Sequence, residues 1–151
     1  MDKREEKILV FSLEEEYYAA DIMEVERILG YQTATTLPEA PDYVKGVINY
    51  EGSILPIISL RRRFNLEDKI KAENKIIVVK KEDFRVGIIV DMVIEVSTID
   101  ISSLENPLFI SNGISKKYIK GIIKDKDRII VLLNLSEILT NEEKALVQQG
   151  I

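Results

Sequence analysis

The strongest constraint on this chain is that one block of its sequence occurs twice. Residues 43–60 return as residues 118–135, 75 positions later. The identical pairs are Tyr43/Tyr118, Lys45/Lys120, Gly46/Gly121, Ile48/Ile123, Ile54/Ile129 and Leu60/Leu135. In each copy two apolar runs flank a short polar turn, and this pattern indicates a β-hairpin. A repeat of this length is typical of duplicated units that share a core.

A second repeat precedes the first in each copy. The strand-forming segment at residues 7–13 returns from Lys75, at a spacing of 68, and each segment is followed by a charged turn and another apolar run. Together the repeats predict about ten short strands in two sets of five, within repeat units of about 7–64 and 75–139. We therefore expect an all-β chain of two small closed barrels rather than one sandwich.

Helix is predicted at only two places. Ser59 is a suitable N-cap for a short helix that ends near Phe64. At the C-terminus, Thr140 stands three residues before Glu143, which is the capping-box pattern, and it predicts a helix from about Asn141 to Gln149.

Length and composition indicate a folded protein of one domain, residues 1–151, or of two very small ones. The chain contains no apolar run long enough to cross a bilayer, and its first residues lack the apolar core of a signal peptide. Because there are no cysteines, disulfides and thiolate metal sites are excluded. We expect a cytoplasmic protein without direct membrane insertion.

The residues needed for common catalytic sites are scarce. The chain has no histidine, which is the commonest general base and metal ligand. It also lacks a Gly-rich phosphate loop and a serine-nucleophile motif. Paired carboxylates stay open as a catalytic alternative because Asp and Glu are plentiful. The expectation is a protein that is not an enzyme and has no cofactor and no metal.

Nucleic-acid binding is a second alternative, carried by the run Arg61-Arg62-Arg63. A small-barrel protein could use such a helix to contact phosphates. The net charge of −5 argues against this function, since dedicated nucleic-acid binders carry a basic footprint. Three adjacent basic residues are more often a solvated face.

Six motifs between residues 21 and 121 resemble the CheW family of chemotaxis coupling proteins in order and spacing, and the resemblance as a whole covers about residues 7–145. They are D-I-x-x-V-x-x-I at 21–28, L-P-x-x-P-x-Y-V-K-G-V-I-N at 37–49, G-x-I-L-P-I-I at 52–58, R-x-x-F at 61–64, V-G-I-I-V-D-x-V at 86–93 and Y-I-x-G at 118–121. The resemblance implies two interleaved five-stranded SH3-like β-barrels. It also implies a non-catalytic adaptor that couples transmembrane chemoreceptors to the histidine kinase CheA.

Two surfaces follow from the resemblance, position by position. An apolar groove between the barrels would bind the cytoplasmic tip of methyl-accepting chemoreceptors, and a hairpin surface would bind the regulatory domain of CheA. The groove positions are Leu9, Ile22, Val25, Ile28 and Val93; taken singly, each is more often a core residue. The kinase-facing positions are Ile48, Tyr50, Ile54, Leu55 and Pro56.

Two positions depart from the family pattern with opposite signs. The family's common Asn-Leu-Arg-Gly turn is Asn-Tyr-Glu-Gly here, which puts Glu51 in place of a basic residue. Arg27 stands where the family usually has Glu. We expect Arg27 and Glu51 to form an ion pair with its charges exchanged; two unrelated surface changes are the alternative.

Overall fold

Ten β-strands make up most of the computed structural model, which describes residues 4–105 and 117–138. The strands are β1 (Glu5–Leu13), β2 (Glu16–Asp21), β3 (Val25–Gly30), β4 (Val44–Tyr50), β5 (Ser53–Ser59), β6 (Lys75–Lys81), β7 (Phe84–Val90), β8 (Met92–Asp100), β9 (Ile119–Asp125) and β10 (Arg128–Leu133). One short helix, α1 (Leu60–Arg63), follows β5. Ser59 caps it, since its Oγ accepts a hydrogen bond from Arg62 N at 3.3 Å.

The strands form two five-stranded sheets, and each sheet contains strands from both sequence repeats. Sheet I has the order β8-β1-β2-β10-β9, and sheet II has the order β3-β6-β7-β5-β4. Each sheet therefore takes a hairpin from one repeat and three strands from the other. Two parallel pairings, β2 with β10 and β5 with β7, join these parts. The all-β prediction and the interleaving that the resemblance implied are confirmed.

Apolar side chains fill three regions, one inside each sheet and one between the sheets. Along β1, Ile8 and Val10 point into sheet I, whereas Leu9 and Phe11 point toward sheet II. Strand β6 alternates in the same way. Strands buried on both faces need an unbroken apolar run, and this explains the two apolar segments of the second repeat, at residues 7–13 and from Lys75.

Strand β5 lies inside sheet II, although a proline within a strand usually indicates an edge strand or a bulge. The N–H and C=O groups of Val47, the residue opposite Pro56, both bond to Thr35, on the far side of β4. Pairing of β5 with β7 begins only at Ile57. The backbone nitrogen of Pro56 is therefore not needed by either neighbour.

Within residues 4–105 and 117–138, the chain passes between the sheets twice. A 3₁₀ turn at Ile22–Glu24 leads from β2 in sheet I to β3 in sheet II, and Asp91 leads from β7 back to β8 in sheet I. The predicted helix at 141–149 lies outside the described residues. Within the described part of the chain, no helix has the length and apolarity needed to span a membrane.

Candidate partner-binding surfaces

A set of accessible apolar side chains lies at the margin of the core between the sheets. Ile22, Val25 and Val93 are half-buried and pack against this core, and Ile28 on β3 is 40% exposed. Ile28 lies opposite Ile77, which is part of the same core. Four of the five groove positions taken from the sequence are therefore accessible along one apolar region.

Leu9 is a correction to the predicted groove. It is 1% exposed and sits within the core between the sheets, so a partner has no access to its side chain. The reason is the position of β1, which lies between β2 and β8 and is covered on both faces. Leu9 supports the margin from below and does not line it.

Val96 is a margin residue that the sequence reasoning missed. It lies opposite Leu9 in the pairing of β1 with β8, and it is 55% exposed. The signal was available, because Val96 stands 68 positions after Ile28, at the spacing that relates the two repeats. We use the name apolar rim for the five accessible residues, which are Ile22, Val25, Ile28, Val93 and Val96.

The hairpin of β4 and β5 also requires a correction. Of the five positions assigned to a kinase-facing surface, only Ile54 is exposed, at 51%. Leu55 and Pro56 are buried, and Ile48 and Tyr50 belong to the core inside sheet II. Their apolar character therefore stabilises the sheet, and any contact surface here must use Ile54 and its charged neighbours.

Arg27 and Glu51 are brought together by the structure. Arg27 Nη1 lies 2.9 Å from Glu51 Oε2, and both side chains are about half exposed. Positive φ angles at Glu51 and Gly52 make the tight two-residue turn that places this carboxylate beside β3. Since β3 and β4 are the two edges of sheet II, the ion pair spans the open side of that sheet.

Tyr50 lies beneath this ion pair. Its ring is 5.8 Å from the Arg27 guanidinium carbon, and its hydroxyl donates a 2.9 Å hydrogen bond to Glu26. Arg85 Nε donates to the other oxygen of the same carboxylate, at 3.1 Å. Burial, followed by the contact with Glu26, raises the pKa of Tyr50 above its ordinary value.

We use the name hairpin face for the exposed surface formed by Arg27, Glu51 and Ile54.

Sheet I has an ion pair at a comparable position, with an acidic residue where sheet II has Arg27. Glu95 on β8 accepts a 2.7 Å hydrogen bond from Arg128 Nη2, at the start of β10. Hydrogen bonds from Ser97 and Arg128 lower the pKa of Glu95. Glu95 stands 68 positions after Arg27, so the repeats place an acid in one sheet where the other has a base.

The three adjacent arginines do not form a basic face. Arg61 is 9% exposed, Arg62 pairs with Asp42 at 3.3 Å, and Arg63 lies between two aromatic rings. Those rings belong to Tyr43 and Tyr118, with centroids 4.8 and 5.2 Å from the Arg63 guanidinium carbon. Successive helical residues point about 100° apart, which sends each arginine to a different partner. This geometry removes the basis for the nucleic-acid alternative.

Arg61 joins four segments of the chain. Its Nε and Nη2 donate to the two oxygens of Asp91, at 2.8 and 2.6 Å. Its Nη1 donates to Glu14 Oε1 at 2.6 Å and to the carbonyl oxygen of Glu67 at 3.2 Å. The hydrogen bonds to Asp91 raise the pKa of Arg61 above its ordinary value, although burial opposes this. The guanidinium therefore stays charged inside the protein.

Comparison with known proteins identifies the family of this chain. A family model described as the CheW-like domain matches residues 7–143. A chemotaxis protein CheW of Klebsiella aerogenes is 33% identical over 143 residues, covering 94% of this chain and 86% of the relative. One from Bacillus subtilis is 33% identical over 144 residues, covering 93% and 90%. A crystal structure of the scaffolding protein TtCheW from Thermoanaerobacter tengcongensis superposes with a TM-score of 0.78 at 37% identity, covering 85% of this chain and 88% of that one.

Proposed function

Because the chain belongs to the CheW-like domain family, we propose that it is a non-catalytic adaptor that couples chemoreceptors to the histidine kinase CheA. It acts on the cytoplasmic side of receptor arrays and is held there by its partners. Its relatives are chemotaxis proteins, and a similar structure is that of a scaffolding protein. The work of such a protein is done by its surfaces, so the proposal depends on which side chains those surfaces present.

The apolar rim is the observation that carries the proposal. Single exposed apolar residues are ordinary on protein surfaces, but a continuous set beside a core indicates a binding site. Ile28 and Val96 occupy equivalent edges of the two sheets, and half-buried Val25 and Val93 lie beside them. An amphipathic helix presents apolar side chains on one face and fits a surface of this kind. We assign the rim to the helical cytoplasmic tip of the receptor.

The hairpin face is the surface we assign to the regulatory domain of the kinase. It combines one exposed apolar side chain, Ile54, with the two charges of Arg27 and Glu51. An exposed ion pair contributes little to stability and is free to influence the rate and selectivity of association. The exchanged polarity of this pair would favour a kinase whose facing charges match it.

Substitutions of exposed rim residues test the receptor assignment. We expect Ile28→Glu and Val96→Glu each to weaken binding of the receptor tip by more than about tenfold, as loss of an apolar anchor does. Ile70→Glu is the matched control, since Ile70 is comparably exposed but lies in the loop before β6. Binding by calorimetry and folding by circular dichroism are measured on the same samples.

The two surfaces can be tested independently of each other. We expect Ile54→Glu to weaken binding of the kinase regulatory domain and to leave receptor binding unchanged, whereas Ile28→Glu has the reverse effect. If both rim variants bind the receptor tip as the unmodified protein does, the rim assignment is wrong. If the unmodified protein binds neither partner, the adaptor function itself fails.

A further inference from the structure

The two passages of the chain between the sheets are equivalent in sequence but are held in place very differently. Residues 22–25 correspond to residues 90–93 at the spacing of 68, so Met23 occupies the position of Asp91. Met23 is 86% exposed, whereas Asp91 is the centre of a hydrogen-bond network. A duplicated fold would allow both passages to be fastened alike, and here only one of them is.

The passage at Asp91 is fastened from several directions. Its carboxylate accepts two hydrogen bonds from Arg61 and a third from the backbone N–H of Glu14, at 2.9 Å. Its own N–H donates to the carbonyl oxygen of Ser12 at 3.1 Å, and its carbonyl oxygen accepts from Asn74 at 3.3 Å. Charge-assisted bonds at a nearly buried arginine are among the strongest in proteins. Movement at Asp91 would break several of them together.

Among the described residues, the passage at residues 22–24 has one polar contact with a distant part of the chain. Oε2 of Glu24 accepts a hydrogen bond from the backbone N–H of Ser136, at 3.1 Å. The other hydrogen bonds of the turn are local, from Met23 N to Asp21 and from Val25 N to Ile22 O. Apolar packing of Ile22 and Val25 and the pairing of Val25 with Val79 at the start of β3 also hold this passage.

The second carboxylate oxygen of Glu24 lowers the free-energy cost of opening this turn. Its Oε1 is buried, and none of the described residues donates a hydrogen bond to it. A buried acceptor without a donor is unfavourable, and hydration on opening would relieve it. The hydrogen bond lost from Oε2 is thereby partly offset by the water gained at Oε1.

We propose that the turn Ile22–Glu24 is a gate for the apolar rim and that the Asp91 passage is the fixed pivot. When the gate opens, Ile22 and Val25 move away from the core and give an apolar helix deeper access between the sheets. The proposal rests on the proposed function for the identity of that helix, the receptor tip. Ser136 lies in the 3₁₀ turn Leu135–Glu137, so receptor binding releases one contact that holds this turn.

Amide hydrogen exchange of the full chain, followed by NMR, tests the gate without any ligand. The amides of Val25 and Ser136 report on the gate, and those of Asp91 and Glu14 report on the pivot. Local openings in a folded protein range from nearly free to as costly as global unfolding, and we expect gate amides to exchange more than about tenfold faster than pivot amides. Equal rates, or faster exchange at the pivot, would overturn the proposal.

The variant Glu24→Ala tests the hydrogen bond between Ser136 N–H and Glu24 that keeps the gate closed. Glu24→Gln is the control, because it keeps an acceptor oxygen. We expect Glu24→Ala to speed exchange at Val25 and Ser136, to leave Asp91 and Glu14 unchanged, and to tighten receptor-tip binding several-fold, because opening no longer costs the Ser136 bond. Weaker receptor binding, or faster exchange throughout the chain, would contradict the gate. If no variant binds the receptor tip, the proposed function fails, while the exchange pattern still decides whether the gate exists.

Discussion

Replacement of the buried Arg61 by methionine is expected to destabilise the protein strongly. Methionine keeps much of the side-chain volume but removes all four hydrogen bonds of the guanidinium. It also leaves the carboxylates of Asp91 and Glu14 close together without the positive charge between them. Removal of one partner of a buried ion pair costs about 3–5 kcal/mol.

This cost is large relative to the stability of a domain of this size. The free energy of unfolding of a natural domain is about 5–15 kcal/mol. For a chain of this length, 1 kcal/mol lowers the melting temperature by about 2–4 °C. We therefore expect Arg61→Met to melt about 10 °C below the unmodified protein and to lose at least about a fifth of its free energy of unfolding.

Urea unfolding followed by far-ultraviolet circular dichroism measures this change. Arg27→Met is the matched control, because it breaks an ion pair of similar length that is exposed and worth about 0–1 kcal/mol. The double variant Arg61→Met/Asp91→Asn should lose less than the sum of the two single variants, since the second change removes a carboxylate that the first left without its partner. If Arg61→Met costs no more than Arg27→Met, the argument from burial is wrong.

Two further predictions concern packing and charge. Gly87→Ala should cost about 1–3 kcal/mol of stability, because the added carbon would lie 2.6 Å from Ile57 Cδ1 and 2.8 Å from Ile76 Cγ2 in the core of sheet II. Gly30→Ala, where nothing lies within 4 Å, should be nearly neutral, and equal losses in urea unfolding would contradict the packing argument. In an NMR titration, the side-chain carboxyl of Glu95 should have a midpoint below that of an ordinary Glu, and Ser97→Ala should raise it. Because folding lowers the pKa of Glu95, its contacts stabilise the protein at pH values above the pKa of Glu95 in the unfolded chain. This stabilisation is lost as the pH falls through the pKa of Glu95 in the folded protein. An unchanged midpoint in Ser97→Ala would exclude Ser97 as the main cause.

The repeat predicts the strands well because their signals are local. Apolar runs of the right length, bounded by charged turns, fix where β1, β2, β6 and β7 begin and end to within a few residues. The cap at Ser59 is equally local. The assignment of hairpins to sheets is different in kind, because β1 and β6 carry the same apolar pattern and either could pair with β8 on local grounds. Contacts such as Leu9 with Val96 join residues far apart in the chain, and local patterns carry no signal for them.

The candidate surfaces show the same division. Apolar character marks Leu55 and Ile54 alike, but their exposure depends on which neighbours cover each face of β5. Arg61 and Arg62 are likewise indistinguishable as sequence, and only the direction of each side chain on α1 separates a buried bridge from a surface pair. The ion pair of Arg27 and Glu51 could be anticipated, because two departures of opposite sign from a family pattern suggested compensation.

The interleaved arrangement also determines the order in which the two sheets can fold during synthesis on a ribosome. Sheet II becomes complete once Val90 has been made, whereas sheet I waits for β9 and β10, which end at Leu133. During that interval the first hairpin, with Ile8 and Val10 on one face and Leu9 and Phe11 on the other, has only part of its apolar surface covered. A chain truncated before β10 therefore cannot form a complete sheet I. Such a fragment exposes apolar strands and is prone to aggregate or to be bound by chaperones and proteases.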